Sequence, residues 1–572
     1  MLPSSDGPEV DRGKMLRRWG PLAAIAIVAV IVVAVLVVGG GGSDDDDDTA
    51  NGNGNGNGTA ATESPTGAIS WSEAEEAGTT DELTWPDTCD QETGRVAIPY
   101  LLASECFADS EGDNGGETSK GVTADSIKVV AYVPPESDPV IEYITQAIAN
   151  DDTVEQISDT VQGYVDIFNA TYQTYGRQVD LEILVGSGPA NDEVAARADA
   201  VKADEEMGAF AVLGGPVLTS AFADELAARK IVCVGCTAGD PGFFQDRAPY
   251  LWSTAQNADQ ILIHLVEYMD KKLAGKPAEF AGDEALTSEE RVFGYLWIES
   301  NDTSADQAER FEELLADQDI ELAESISYTL DPARLQEQAT SVMARLKEAG
   351  VTTIVFSGDP VAPGPFTTEA TAQDFHPEWL LGPQALVDTV AFSRTYDQEQ
   401  WAHAFGPSPL TVKPGQDQRS PFVVYEWFHG ELPPAADTSA VIMPNPSLFF
   451  SGIQSAGPEL TPETFQAGLF ARPPTPSYVS EPSLSFGDHG LWDYDEDYNG
   501  ADDATEIWWD TEATGEDEIG RDGTGMWRYV AGGKRYLPGE WDDETTLFDP
   551  EGTETILPAP PEDETPPDYP AP

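Results

Sequence analysis

VQGYVDIFNATYQTYGRQVDLEILVGSGPANDEVAARADAVKADEEMGAFAVLGGPVLTSAFADELAARKIVCVG, residues 161–235, reads helix, strand, helix, strand, helix, strand. Val161, Tyr164, Val165, Phe168 and Tyr172 recur at helical spacing, and after a turn at Tyr175 and Gly176 comes VDLEILVG, a short apolar run rich in branched residues. Val194, Ala198 and Val201 mark the inner stripe of a second helix. AFAVLGG then supplies a strand, residues 220–229 a third helix and IVCVG a third strand. Strands alternating with helices in this way call for right-handed crossovers and a parallel sheet covered on both faces, the arrangement that buries near-continuous apolar strands.

Downstream the rhythm restarts. Ile261, Leu265, Tyr268 and Met269 share a helix face, a polar loop GKPAEFAGDEALTSEE intervenes, and RVFGYLWI reads as a buried strand. Ala305, Ala308, Phe311, Leu314 and Leu315 form one further helical face, Leu335, Ala339, Val342, Met343 and Leu346 the next, and VTTIVFSG closes as a strand. Two such blocks imply two lobes. In open parallel sheets the loops at the carboxyl ends of strands converge with helix N-termini, whose free amides attract polar or anionic groups. Four strand ends qualify as ligand-binding loops: Gly215 with Thr219 and Ser220; Thr237 with Ala238; Ser300, Asn301 and Asp302; and Ser357 with Asp359. Their small residues allow close backbone approach and their hydroxyls can donate and accept. The same residue types also serve as helix caps.

GVTADSIKVVAYVPP, residues 121–135, resembles the opening of the type 1 periplasmic solute-binding proteins, the branched-chain amino-acid-binding group of ABC importers. YVDIFNATYQTYGRQVDLEILV and AFAVLGGPVLTSAFADELAARKIVCVGCTAG follow in that family's order, so the likeness covers about residues 121–382. IWWD followed by GTGMWRYVAGGKRYLPGEW resembles the C-terminal ends of its actinobacterial members. The resemblance implies an α/β, two-lobed type 1 periplasmic-binding-protein fold, each lobe a mainly parallel sheet flanked by helices, closing on a small molecule by hinge bending. It also implies that Thr219 or Ser220, with Thr237 and Ala238, stand where amino-acid binders hold a carboxylate. The loop DPVAPGPF departs from the family, with Asp359 the only candidate carboxylate for an ammonium group, so the ligand's identity stays open.

Outside that region the chain changes character. Arg12, Lys14, Arg17 and Arg18 precede an apolar run at 21–38, long enough to span a bilayer with the basic residues 1–20 inside and the remainder outside the cell. The competing reading is a cleaved signal peptide. Residues 39–84, with glycines, aspartates and an Asn-Gly tract, read as a flexible acidic linker, and residues 550–572 as a disordered Pro-rich acidic tail. Cys89 and Cys106 are expected to pair and pin a flap, residues 85–120, to a two-lobed domain at 121–549, with lobe 1 at about 121–258 and lobe 2 at about 259–382; the remainder completes both lobes. Cys233 and Cys236 read as a structural disulfide or two buried thiols, not a redox pair.

The chain carries 29 Lys plus Arg against 103 Asp plus Glu, a net charge of -74, which excludes phosphate backbones as partners and so nucleic acid. DEDYNGADDATE matches a calcium-loop pattern through Asp495, Asp497, Asn499 and Glu506, although Asp502 stands where an apolar residue is usual and a solvated acidic loop is the alternative. No nucleophile elbow, zinc-helix or phosphate-loop motif is present, and the five histidines are scattered. The sequence therefore points away from an enzyme and toward a membrane-tethered extracellular binder of a small polar solute, serving an ABC permease by resemblance. A ligand-sensing ectodomain and an enzyme on the same scaffold are the alternatives.

Overall fold

The computed structural model describes residues 66–110, 112–216, 218–299, 304–331, 333–382 and 386–572. The expected anchor at 21–38, the basic segment before it and the Asn-Gly tract lie outside the described residues, among which no helix is long and apolar enough to cross a membrane.

The expected linker ends earlier than residue 84. Ser70 opens α1 (Trp71–Ala77) with a capping box, its hydroxyl accepting from Glu73 N and the Glu73 carboxylate from Ser70 N, which satisfies two amides that a helix start would otherwise leave free. Trp71 packs on Trp85 with ring centroids 4.7 Å apart, so this segment has a core of its own. The flap follows, with β1 (Cys89–Asp90) antiparallel to β2 (Arg95–Val96), and the Cys89–Cys106 disulfide forms as expected.

Lobe 1 is built on β3 (Ser126–Val133), whose SIKVVAYV run is buried on both faces. Then come α2 (Pro139–Ile148), α3 (Val154–Thr171), β4 (Gln178–Val185), α4 (Glu193–Glu205), β5 (Ala211–Leu213), α5 (Ala221–Ala228), β6 (Val232–Val234) and β7 (Leu251–Trp252). All five strands are parallel, in the order β4-β3-β5-β6-β7. The strand-helix alternation read from residues 161–235 is present throughout. The inner stripe of α4 is corrected: Val194 is 80 % exposed, while Ala196, Ala200 and Ala203 face inward with Asp199, whose carboxylate accepts from Ser187 N at 2.8 Å. Small side chains let α4 lie close to its neighbours, so size and not hydrophobicity marks that face.

Lobe 2 repeats the plan. α6 (Ala258–Tyr268), β8 (Phe293–Ile298), α7 (Ser304–Asp317), β9 (Leu322–Tyr328), α8 (Leu335–Glu348), β10 (Thr353–Ser357), α9 (Pro363–Ala372), β11 (Glu378–Leu381) and β12 (Ala404–Ser408) follow in turn. α10 (Ser420–His429), α11 (Pro444–Ala456) and α12 (Pro462–Phe470) then return to the core of lobe 1. β13 (Ala504–Glu516), β14 (Asp522–Tyr529) and β15 (Arg535–Tyr536) finish the second sheet, whose order is β14-β13-β12-β11-β10-β8-β9 with β15 beside β13. β8 to β12 are parallel, and β13 to β15 add an antiparallel edge. Each lobe thus has its first strand second from one edge, and the crossover direction reverses beside it, between β3 and β5 and between β8 and β10. The aromatic segment serves as core, with Trp509 and Trp527 packed at 5.2 Å across the β13–β14 pair.

Among the described residues the chain passes between lobes at residues 253–257, 409–419 and 471–503, and the tail crosses again beyond Leu557, whose amide donates to Lys413 O at 3.0 Å, to reach α10, where the Trp427 indole donates to Tyr569 O at 2.9 Å. The passages run side by side: Ser253 N donates to Tyr498 O at 3.0 Å, Gly500 N to Ser253 O at 2.9 Å, and Val412 N to Val479 O at 3.1 Å. The tail is corrected as well. Glu564 is buried and accepts from Val479 N, Ser480 N and the Ser480 hydroxyl at 2.6–3.0 Å, and the Tyr569 hydroxyl donates to Asp90 at 2.8 Å. Prolines already restrict the free tail, so docking it costs less entropy than an ordinary acidic segment would lose.

Candidate functional site

The strand-end loops of the two lobes meet. After β3, Ile141 and Ile144 of α2, each 2 % exposed, join Ala190 in one apolar cluster with Ile298, Ala362 and Val390 of lobe 2. Asp138 holds the lobe 1 end of α2, its carboxylate accepting from Ile141 N at 3.3 Å and Ala190 N at 2.6 Å. At the other end Arg521, from the β13–β14 turn of lobe 2, donates to the carbonyls of Ile148 and Ala149 and pairs with Asp437 at 2.9 Å. α2 is therefore gripped by both lobes. This was not legible in advance, because VIEYITQAI has the pattern of any amphipathic helix.

The expected loop residues divide. Gly215 lies against the backbone of the next loop: a Cβ there would come within 2.6 Å of Cys236 O, so the loops after β5 and β6 touch main chain to main chain. Thr219 is buried and its hydroxyl accepts from Ala221 N at 3.1 Å, and the buried Thr237 hydroxyl turns to Ala238 O at 3.3 Å. The Ser220 hydroxyl donates to Asp224 at 3.0 Å, and among the described members of the set Ser220 alone is not buried. Ser300, Asn301 and Asp302 lie outside the described residues. Cys233 and Cys236 form a buried disulfide behind these loops.

On lobe 2, Ser357 is displaced from the expected rim. It shares the face of β10 with Thr353 and Val355 and is 2 % exposed inside the sheet. Asp359 is fully spent on local structure: its carboxylate accepts from the Tyr328 hydroxyl at 2.8 Å, Val361 N at 2.8 Å and Ala362 N at 2.9 Å, and burial pushes its pKa up. Nearby, the Ser408 hydroxyl donates to Asp388, whose pKa burial raises to about 6. Asp388 precedes the helical turn at Val390–Ser393 and Glu518 caps that turn through Val390 N at 2.8 Å and Ala391 N at 3.0 Å. Neither acid stood out in so acidic a chain. At the crossover reversal of lobe 1 a crevice of about 30 Å³, lined by Ala131, Leu213, Gly214, Ile442 and Asn445, has room for about one water.

The four expected calcium ligands are not brought together. Asp495 is exposed, Asp497 is buried and accepts from Gln260 at 2.8 Å, and Asn499 turns to Asn257 and Ala255. Glu506 belongs to β13 and is held by Lys272 Nζ and the Tyr268 hydroxyl, each at 2.9 Å. A strand separates oxygens that a calcium loop must wrap. Among the described residues no group of three or more His, Cys, Asp or Glu side chains could hold a metal ion.

No family model and no curated protein matches the chain. Solved structures that are similar to it include ABC-transporter substrate-binding proteins. One, from Rhodopseudomonas palustris BisB5 in complex with 3,4-dihydroxybenzoic acid, is 12 % identical with a TM-score of 0.47 over 70 % of this chain and 97 % of that one. A fatty acid ABC transporter substrate-binding protein from Thermomonospora curvata is 15 % identical, with a TM-score of 0.47 over 73 % of this chain and 95 % of that one. A branched-chain amino acid transporter protein from Streptococcus pneumoniae, in complex with isoleucine, is 14 % identical, with a TM-score of 0.46 over 71 % of this chain and 100 % of that one. The compounds are those proteins' own.

Proposed function

We propose that this chain captures a small polar solute between its lobes by hinge bending, outside a cell membrane to which residues 21–38 tether it, and delivers it to an ABC permease. The observation that carries the reading is the junction of three side-by-side passages beneath two parallel sheets whose strand-end loops meet. Such a junction leaves one soft direction of motion, opening and closing of the lobes. The basic segment and apolar run of the sequence support the tether, and the resemblance of residues 121–382 supports the permease. Asp359 is buried and its carboxylate is already held by its own loop amides and Tyr328, which favours a solute without an ammonium group in that position.

Thermal-shift screening of the purified protein against amino acids, amides, sugars, hydroxy acids and short peptides tests this. A true ligand raises the unfolding temperature with the logarithm of its concentration, equivalent to about 2.7 kcal/mol at a hundredfold excess over Kd. The matching structural readout is a smaller radius of gyration by X-ray scattering on binding. A library without hits, together with scattering that never changes, would remove the capture reading; turnover of a library compound would favour an enzyme.

A further inference from the structure

Arg472 follows α12 and lines a cavity of about 190 Å³ in which no strand-end loop residue takes part. The walls come from three regions that are far apart in sequence: Tyr100 and Leu102 of the flap, Ser447, Leu448 and Ser451 of α11, and Phe486 of the third passage. Every other arginine that is buried or half-buried among the described residues has polar partners. Arg177 donates to the carbonyls of Thr123, Pro458 and Asn114, Arg419 to Pro414, Asp517 and Glu518, and Arg535 to Asp503. Among the described residues none forms a hydrogen bond or ion pair with the Arg472 guanidinium. Two carboxylates stand near enough to consider, and both are engaged elsewhere: Glu105 accepts from Ser72 N at 3.1 Å and the Ser72 hydroxyl at 2.5 Å, and Glu481 pairs with Lys413 at 3.3 Å.

A half-buried cation without a hydrogen-bonded partner, set beside an apolar wall, is unfavourable, and this chain has few cations to leave idle, with 29 Lys plus Arg in 572 residues. Burial holds the guanidinium pKa below its ordinary value, and the charge of Glu105 opposes that shift. The planar fork of arginine matches a carboxylate bidentately. We propose that this cavity is a second binding site, for a small monocarboxylic acid whose carboxylate sits on Arg472 and whose apolar body lies against Leu102, Leu448, Leu469 and Phe486. An apolar cavity of ~150 Å³ holds one benzene ring, so about 190 Å³ takes a six-membered ring or a short alkyl chain plus the acid group. The chain's excess of negative charge selects against ions of higher charge, such as phosphate. A bound acid would join flap, lobe 1 and hinge in one contact.

Titration calorimetry of the full chain with benzoate and with hexanoate tests the site, with hexanol and inorganic phosphate as the uncharged and the highly charged counterparts. The expected result is binding of at least one acid, weakened at least tenfold by Arg472→Gln, partly kept by Arg472→Lys, and abolished by Ser451→Leu, which fills the cavity from α11. Circular dichroism reports whether each variant is folded, and Ser451→Leu decides the matter should Arg472→Gln not fold. Absence of heat with both acids overturns the proposal. So does binding that neither Arg472→Gln nor Ser451→Leu changes, since that acid sits elsewhere, and so does hexanol or phosphate binding as tightly as the acids.

Discussion

Asp502 is a carboxylic acid sealed in the junction between the lobes. It accepts from the Ser485 hydroxyl at 3.0 Å and the Ser483 hydroxyl at 3.3 Å, and burial raises its pKa from 3.8 to about 7. A carboxyl whose folded pKa lies above its unfolded one stabilises the fold most below the unfolded value, and that contribution is lost as pH rises through the folded value. Stability is therefore expected to fall between pH 5 and pH 8, by a few kcal/mol from this group alone. Asp502→Asn keeps the shape and should flatten the slope, read as urea midpoints at the two pH values; an unchanged slope counts against the assignment. Beside it His264 is held neutral between Asp502 O at 2.9 Å and the Trp541 indole at 3.1 Å, with its pKa lowered to about 4 by burial. Lys272 and Glu506 are a different case, each side chain 1 % exposed and 2.9 Å apart. Lys272→Met strands a buried carboxylate and should cost about 3–5 kcal/mol, while adding Glu506→Gln should return most of it, by the same urea measurement.

At the scale of elements, α2 is the piece that both lobes hold. Arg521→Ala removes the donors that hold its last carbonyls and the pairing with Asp437. The expected outcome is a larger radius of gyration in solution, with a stability loss of about 1–3 kcal/mol; an unchanged radius would mean that the apolar contacts of Ile141 and Ile144 suffice alone. The parallel strands and the helices between them were legible because the apolar period switches plainly at each junction, as at Gly186 and Gly214. The face of α4 was not, because packing there is set by the smallness of Ala196, Ala200 and Ala203. The capping box at Ser70 was also in the sequence, hidden by the low-complexity tract in front of it. Among the loop residues, position was readable and duty was not: a hydroxyl or carboxylate that caps its own loop, like Thr219 or Asp359, has the same signature as one that waits for a ligand.

For the molecule as a whole, a net charge of -74 is a destabilising self-repulsion that salt screens. The unfolding temperature is expected to rise from 0.05 to 0.5 M NaCl, and a fall would mean that ion pairs such as Arg535 with Asp503 outweigh the repulsion. The sequence announced two lobes but could not show that residues 420–470 return to the first or that residues 504–536 complete the second, since long-range return leaves no local period. That wiring has a practical consequence for proteolysis. Because more than one length of backbone bridges the lobes, a single protease cut at residues 409–419 would leave both halves attached through the others, so a nicked sample should elute from a sizing column as intact protein and separate into fragments only in denaturant.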